Sequence, residues 1–363
     1  MTQRPQQSER HDREQYFFDV ATRDALVEAL VDYDHVCCLC APTLAEALAK
    51  RGQQATLLDL DERFAHVAGF RRYDLTRPDW IETQFDVIVS DPPFFTVSLT
   101  QLHRALAMLA HHRVEMPVLV AYLTRRDRKL LTTFAALGFC PTGFFPSYAT
   151  VADTEKNEIQ FYGTAPLPER GSSAWMDRVA KRTSKFLSLV LRHDPDRIGI
   201  TLGAGGWTGT EALLRAANQH GVALNRALLE HVVATNAKQR FALSDDGARI
   251  RANQGHSVQI DLGLTPVAPP AVLFHGTARK NLASIHAQGL VRRQRHHVHL
   301  SADEATARTV GQRHGTPVVL RVEAARMHGD GHVFYRSDNG VWLTEAVPPT
   351  YLTLPDGSPP PRP

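Results

Sequence analysis

The amino-acid sequence predicts a multidomain protein in which an α/β unit is followed by α+β units, and three observations carry that prediction. Apolar strand-like runs (VCCLC, ATLLDL, FDVIVS, PVLVAYL) alternate with helix-periodic ones (RDALVEALVDY, LAEALAKRG, SLTQLHRALAMLAHH). Such alternation is the pattern of βαβ units around a mainly parallel sheet with helices on both faces. Further on, Val179, Phe186, Leu187, Val190 and Leu191 recur at helical spacing, EALLRAANQHG and NRALLEHVVAT supply two more short helices, and RFALSDDGARIRA places two strand runs around an Asp-Asp-Gly turn. Three short helices and a hairpin make a winged-helix module. The last stretch is strand-rich (AVLFHG, HHVHLS, PVVLRVE, GHVFYRS, GVWLTEAV) with one clear helix around KNLASIHAQGL, which reads as α+β.

With 363 residues, 43% hydrophobic and 22% charged, the composition is globular and excludes a collagenous, disordered or disulfide-stapled chain. Pro, Gly and Ser cluster in APLPERGSSA and again in LTPVAPPAV. These breaks divide the chain into 1–165, a linker at 166–174, 175–263 and 270–354, with a Pro-rich tail at 355–363 expected to be disordered. No run approaches 18 apolar residues and the N-terminus is polar, so a cytoplasmic protein without a membrane partner is expected. Cys37 and Cys40 form one CxxC, but no second pair completes a tetrahedral zinc site, and a Cys-rich buried strand is the reading; no metal is expected.

The formal charge of +3 hides an asymmetry: residues 1–170 carry 18 basic and 23 acidic groups, residues 171–363 carry 23 and 15. A polyanionic partner fits the second half better.

Leu187 to Pro195 read LSLVLRHDP. Taken alone, Arg192 and His193 near a helix C-terminus would simply complement its dipole. They are followed, however, by Arg251-Ala-Asn-Gln-Gly-His256-Ser257 after the hairpin, by His275-Gly276-Thr277, by Arg295-His-His-Val-His299-Leu-Ser301, and by Arg336 ahead of Asn339-Gly-Val-Trp342. These five segments, in this order, resemble the NAD-dependent RNA 2′-phosphotransferase family from about Arg178 to Leu354. The resemblance implies a winged-helix lobe joined to an ADP-ribosyltransferase-type lobe. It implies that Arg192, His193, Arg251 and Arg336 form the phosphate-gripping catalytic set, since a dianionic nucleophile and a phosphoryl transition state need fixed positive charge. His193 is the member of that set able to move a proton near neutrality. His275, Gly276, Thr277, His299 and Ser301 are implied to hold NAD, and Glu345 is the one nearby carboxylate at the place where protein-modifying relatives of that fold keep a glutamate. An RNA carrying a 2′-phosphate, tRNA-like, is the implied substrate.

In the acidic half, Asp91-Pro92-Pro93-Phe94 follows the strand FDVIVS, at the strand end where ligands bind in an open α/β sheet. An aspartate and a Pro-fixed carbonyl can orient a planar amine there while Phe94 stacks on it. Asp59 ends the strand ATLLDL, where it can hold ribose hydroxyls, with Asp61 as the alternative; Asp74 is a candidate near an adenine. Together with Gln15-Tyr-Phe-Phe, Leu58 to Phe64, Tyr73-Asp74 and Asn157-Glu158, these residues resemble a family of predicted N6-adenine methyltransferases that also includes lysine methyltransferases of a translation elongation factor. The resemblance covers about residues 15 to 163 and implies a Rossmann-like methyltransferase domain that uses S-adenosylmethionine. One departure is that Leu39-Cys40-Ala41-Pro42-Thr43 stands where a Gly-rich turn is usual.

The expected whole is therefore a bifunctional RNA-processing enzyme. Two other readings keep the fold: an ADP-ribosyltransferase that caps terminal nucleic-acid phosphates, and a nucleic-acid-binding regulator with an inactive methyltransferase-like scaffold. Against the regulator, NRALLEHVVAT holds only one Arg, and it is accompanied by a Glu.

Overall fold

A computed structural model describes residues 8–152, 154–258, 263–293, 295–337 and 339–354. The tail 355–363, expected to be disordered, lies outside the described residues. The chain divides into two compact units, residues 1–181 with 213–231 and residues 182–212 with 232–363.

The first unit is built on α1 (Val20–Ala29), β1 (His35–Leu39), α2 (Pro42–Lys50), β2 (Gln54–Asp59), β3 (Phe70–Arg72), β4 (Val87–Ser90), α3 (Leu99–Leu109), β5 (Val118–Leu123), α4 (Asp127–Thr133), β6 (Cys140–Pro141) and β7 (Ile159–Gly163). The strands form one sheet in the order β3-β2-β1-β4-β5-β7-β6. β1 to β5 run parallel, and β7 is antiparallel to both of its neighbours. Strands covered on both faces read as unbroken apolar runs, and β4 and β5 are buried along their whole length. Cys37 and Cys38 are fully buried in β1, as a Cys-rich core strand should be. The helices start where the sequence provides caps: Asp19 accepts from the Thr22 amide at 2.7 Å, and Ser98 with Gln101 closes a capping box on α3. From β1 the chain moves outward to β2 and β3, then returns to β4 on the other side of β1. This reversal opens a crevice at the carboxyl ends of β1 and β4.

α5 (Ser173–Val190), α6 (Thr210–Gln219) and α7 (Arg226–Ala234) follow. In the second unit β8 (Thr208–Gly209), β9 (Phe241–Leu243) and β10 (Arg249–Ala252) form an antiparallel sheet in the order β8-β10-β9, so the expected hairpin is present. The remainder runs β11 (Leu273–Ala278), α8 (Leu282–Gln288), β12 (Leu290–Val291), β13 (Val298–Leu300), α9 (Glu304–Gly311), β14 (Pro317–Val322), α10 (Ala324–Gly329), β15 (Phe334–Arg336), β16 (Trp342–Thr344), β17 (Ala346–Val347) and β18 (Leu352–Thr353). Its sheets are β11-β14-β18, β13-β16-β15 and β12-β17 around a core that includes Leu273, Leu320, Met327, Phe334 and Trp342. Where one helix was expected there are three. α9 is short and polar but is capped by Asp303, which accepts from the Thr306 amide at 2.7 Å, and it packs on β11. Among the described residues no helix is long and apolar enough to cross a membrane.

Candidate active sites

In the second unit contacts join the LRHDP, RANQGHS, HGT and HVHLS segments. Arg192 and His193 lie just beyond α5. The Arg192 guanidinium faces the Phe241 ring at 5.9 Å and donates through Nη2 to the Arg240 carbonyl at 3.2 Å, while its buried Nε has no hydrogen-bond partner among the described residues. Burial first, then the charges of Arg240 and Arg295, bring its pKa down to about 10. The amide of Ser257 donates to the Arg192 carbonyl at 2.9 Å, which folds the RANQGHS segment back onto the LRHDP turn. His193 sits 2.9 Å from the Ser257 hydroxyl through Nδ1. Burial, then Arg192 and Arg295, lower its pKa from the ordinary imidazole value.

Arg251, on β10, lies over the Trp207 ring at 4.7 Å. A Cβ built on Gly255 would stand 3.6 Å from Arg192 Nη1 and 3.8 Å from His299 Cε1, so this glycine, at φ 84°, lies between the arginine and the second group of motifs. Within that group His275 Nδ1 donates to the His299 carbonyl at 3.0 Å, which makes Nε2 the acceptor of that ring. Arg295 Nη1 donates to His299 Nδ1 at 3.1 Å. Burial, followed by Arg295 and other neighbouring cations, brings His299 down to about 3. Thr277 is buried and its hydroxyl accepts from Asn281 at 3.2 Å. Ser301 pairs with Phe274 through two backbone hydrogen bonds of 2.8 and 2.9 Å, a bridge that fixes β13 against β11.

Gly276 is not in a turn. It lies inside β11, and a Cβ there would fall 1.6 Å from the Ala307 carbonyl of α9, so close helix-to-strand packing requires it. Arg336, exposed at the end of β15, faces Trp342 at 5.8 Å across the sheet. The loop that follows it is tied to the segment before β9, where Asn339 donates to the Lys238 carbonyl at 3.1 Å. Glu345 is exposed and raises the pKa of His297 while burial lowers it.

Sequence reasoning passed over His256. It is 1% exposed, neither ring nitrogen has a hydrogen-bond partner among the described residues, and burial with Arg192 and other cations lowers it to about 4. Its signal was its place in RANQGHS. Arg240 was also missed, because a lone arginine in a loop looks like solvated surface until its neighbours are known, whereas Arg295 heads the Arg295 to Ser301 segment without a role assigned to it.

In the first unit a cavity of about 890 Å³ opens at the carboxyl ends of β1, β2 and β4, and Asp59, Asp61, Asp74 and Asp91 to Phe94 all line it. Asp91 accepts from the Tyr148 hydroxyl at 2.8 Å, yet burial outweighs this bond and pushes the carboxyl up to about 8. Burial likewise raises Asp59 to about 6, although its Oδ1 accepts from the Asp61 amide at 2.8 Å. Asp61 differs. Burial raises it, but Arg63, whose Nε donates to both carboxylate oxygens at 2.9 Å, brings the net shift down. Asp74 is held low by the Thr76 hydroxyl at 2.7 Å.

Phe94 is half-buried and set edge-on to Tyr122 at 5.5 Å, whereas Phe95, 61% exposed, carries the Arg126 guanidinium over its ring at 4.8 Å. Cys40 makes the turn in place of a glycine, at φ 58°, with its amide bonded to the Leu58 carbonyl at 2.9 Å. A left-handed non-glycine residue costs of the order of 1–3 kcal/mol. Tyr148 carried no signal in the sequence, since it reaches the cavity from a segment without a motif; Phe95 directly follows the Asp-Pro-Pro-Phe segment, and Arg63, inside the Leu58 to Phe64 segment, binds the cavity-lining Asp61.

Comparison with known proteins gives a separate match for each half of the chain. Residues 178–346 match the model of the RNA 2′-phosphotransferase, Tpt1 / KptA family, and residues 9–164 match that of a probable N6-adenine methyltransferase family. A protein of Rhodopirellula baltica named "Probable RNA 2′-phosphotransferase" is 58% identical over 180 residues, 49% of this chain and 98% of that protein. One of the same name from Acaryochloris marina is 54% identical over 177 residues, again 49% of this chain and 98% of the relative. A solved TehB-like SAM-dependent methyltransferase from Corynebacterium glutamicum is similar at 18% identity over 41% of this chain and 89% of that one, with a TM-score of 0.29. With nearly the full length of such relatives contained in its second half, the chain belongs to the RNA 2′-phosphotransferase, Tpt1 / KptA family and carries a methyltransferase-like domain fused ahead of it.

Proposed function

We propose that the protein transfers an internal RNA 2′-phosphate to NAD. The observation that carries this reading is that Arg192 donates to the Arg240 carbonyl and lies within the field of the Arg240 and Arg295 charges, with no carboxylate in ion-pair distance of these three among the described residues. Like charges held together under partial burial favour a multiply charged anion, which neutralises them. In the first step an oxygen of the 2′-phosphate attacks the anomeric carbon of the nicotinamide riboside and nicotinamide leaves with the bonding pair. In the second, the ribose 2″-hydroxyl attacks phosphorus. Its proton passes to His193, the RNA 2′-oxygen departs and is protonated, and ADP-ribose cyclic phosphate is released. A His193 kept neutral near pH 7 suits the proton-accepting role. Arg192, Arg251 and Arg336 would grip the phosphate. His275, Thr277, His299 and Ser301 would line the NAD site, with Gly276 allowing α9 to approach. The succession of three helices and a hairpin supports the winged-helix reading of 175–263.

For the first unit we infer S-adenosylmethionine binding, with Asp59 toward the ribose and Asp91 to Phe94 orienting a planar amine in RNA. The cavity at the β1/β4 switch point and the two carboxyls with raised pKa support it, since a sulfonium and an amine both suit such a wall. The full chain incubated with 2′-phosphorylated RNA and NAD should yield nicotinamide and ADP-ribose cyclic phosphate in equal amounts; inorganic phosphate in place of the cyclic product would sink the reading, and ADP-ribosylated RNA as the end product would replace it with capping. Calorimetry of the full chain should detect S-adenosylmethionine, with binding weakened about 10- to 100-fold in Asp59→Ala, the range for one hydrogen bond to a charged group. No heat from the intact chain would make the unit a scaffold.

A further inference from the structure

Three consecutive backbone carbonyls, those of Lys238, Gln239 and Arg240, each accept a hydrogen bond from a side chain of a different motif. Asn339 donates to the first at 3.1 Å, Asn253 to the second at 2.6 Å and Arg192 to the third at 3.2 Å. Asn236 secures the start of the loop: its Oδ1 accepts from the Lys238 amide at 3.1 Å and its Nδ2 donates to the Ser184 hydroxyl at 3.0 Å. Gln239 takes a left-handed conformation at φ 41°, which a non-glycine residue holds only when its surroundings fix it. The loop is thus part of the site's framework, although composition alone would mark it as an ordinary surface turn.

Its side chains point to a use. Lys238 is exposed and Arg240 half-buried, and Arg313, just after α9, is exposed. The charges interact: burial first, then Arg313 and Arg240, depress the Lys238 ammonium. Among the described residues no carboxylate lies in ion-pair distance of Lys238, Arg240 or Arg313, whereas other exposed arginines of this unit, such as Arg308 and Arg326, pair with a glutamate on their own helix. An unneutralised cationic patch that shares its backbone hydrogen bonds with the phosphate-gripping arginine extends that site outward.

We propose that Lys238, Arg240 and Arg313 form a docking surface for a single RNA strand and bind the phosphodiesters that flank the 2′-phosphate. The inference rests on the reading of the adjacent site given above and names how its substrate is held. A strand is favoured over the NAD pyrophosphate because two of the three cations are solvent-exposed on long side chains. Such groups gain affinity from a polyanion by releasing its counterions, not by a buried fit to one small ligand.

The test uses the full chain and a fluorescent oligonucleotide of about ten nucleotides with one internal 2′-phosphate. In the Lys238→Ala/Arg313→Ala variant, affinity should fall several-fold at low salt, and the slope of log K against log salt should shrink by about 1.4, since a single strand contributes about 0.7 per neutralised phosphate. Lys238→Arg should keep the slope. NAD affinity should be unchanged, and turnover of a 2′-phosphorylated dinucleotide, with its single flanking phosphodiester, should fall less than turnover of the ten-nucleotide strand. An unaltered slope overturns the proposal, and so does a loss of NAD affinity in place of RNA affinity, which would assign the loop to the pyrophosphate. If the wild-type chain binds the oligonucleotide with the expected slope but releases no nicotinamide, the surface stands and the catalytic reading fails.

Discussion

The two candidate sites are built on opposite charge. In the first unit burial pushes Asp59 and Asp91 up, to about 6 and about 8; in the second, burial and neighbouring cations push Arg192, His256 and His299 down, to about 10, 4 and 3. In both the charged form is disfavoured relative to water, so both favour a ligand of the opposite sign, a cation in one and a polyanion in the other. Asp61 shows what separates a site residue from a structural one. Both it and Asp59 are little exposed, but Asp61 is less deeply desolvated and Arg63 satisfies it, so its net shift is downward. Depth of burial and partnering together distinguish the groups available to a ligand.

The largest effect that would break the comparison is on turnover at the basic site. Arg192→Met, Arg251→Ala and Arg336→Ala should each lower the rate of nicotinamide release with 2′-phosphorylated RNA by at least roughly 10²- to 10³-fold, the loss on removing one donor to a developing charge. Arg192→Met should do so without lowering Tm. The guanidinium it removes is held under desolvation beside two other arginines, and a methionine can pack on Phe241 without that penalty. A variant that keeps turnover but melts earlier would make Arg192 a structural residue.

The sequence made the central strands legible because β4 and β5 are buried throughout, and β1 and the second half of β2 nearly so, and they read as apolar runs. β3, β6 and β7 were not legible. β3 and β6 are three and two residues long, and β7, though buried throughout, contains Gln160 and Gly163. Gly163 is there because a Cβ would fall 1.9 Å from the Val118 carbonyl, a constraint no periodicity reveals. At the sites, residues at strand ends or inside motifs could be found: Asp59, Asp91, Arg192, Arg251. Residues that act through a distant contact could not. Tyr148 reaches Asp91 across 57 positions, and Arg240 reaches Arg192 across 48. Gly276 was singled out by its motif, while the close packing that requires a glycine there was not legible, since α9 was not expected.

A smaller effect sharpens the acidic side. Folded Asp91 holds its proton to about pH 8, whereas an unfolded aspartate releases it near 3.9. The folded state therefore binds the extra proton, and its stability declines as pH rises through that window. Asp91→Asn keeps an oxygen for the Tyr148 hydroxyl and has no charge to bury. Its Tm should differ little from wild type near pH 4 and exceed it by a margin that grows toward pH 8. A constant margin across that range would show that Asp91 ionises as an ordinary carboxyl, removing half of the contrast between the sites.

The smallest expected effect concerns His193. Its pKa lies below the ordinary 6.5, through burial first and then Arg192 and Arg295, so the neutral form that accepts the 2″-hydroxyl proton predominates at pH 7 and is lost only as pH falls below 6.5. Formation of ADP-ribose cyclic phosphate should accordingly stay level from pH 8 to pH 6.5 and decline on the acid side. Arg295→Gln removes the weaker of the two cationic contributions and should move that acid limb upward by a fraction of a pH unit, while His193→Ala should abolish the limb along with most of the rate. A wild-type limb centred above 6.5 would mean that the imidazole is stabilised as a cation in spite of its neighbours. A rate that rises as pH falls would make it the donor to the departing 2′-oxygen. Either outcome would reverse the sign assigned to this site, because a cluster of cations that tolerated one more would no longer be the counterpart of the buried carboxyls in the first unit.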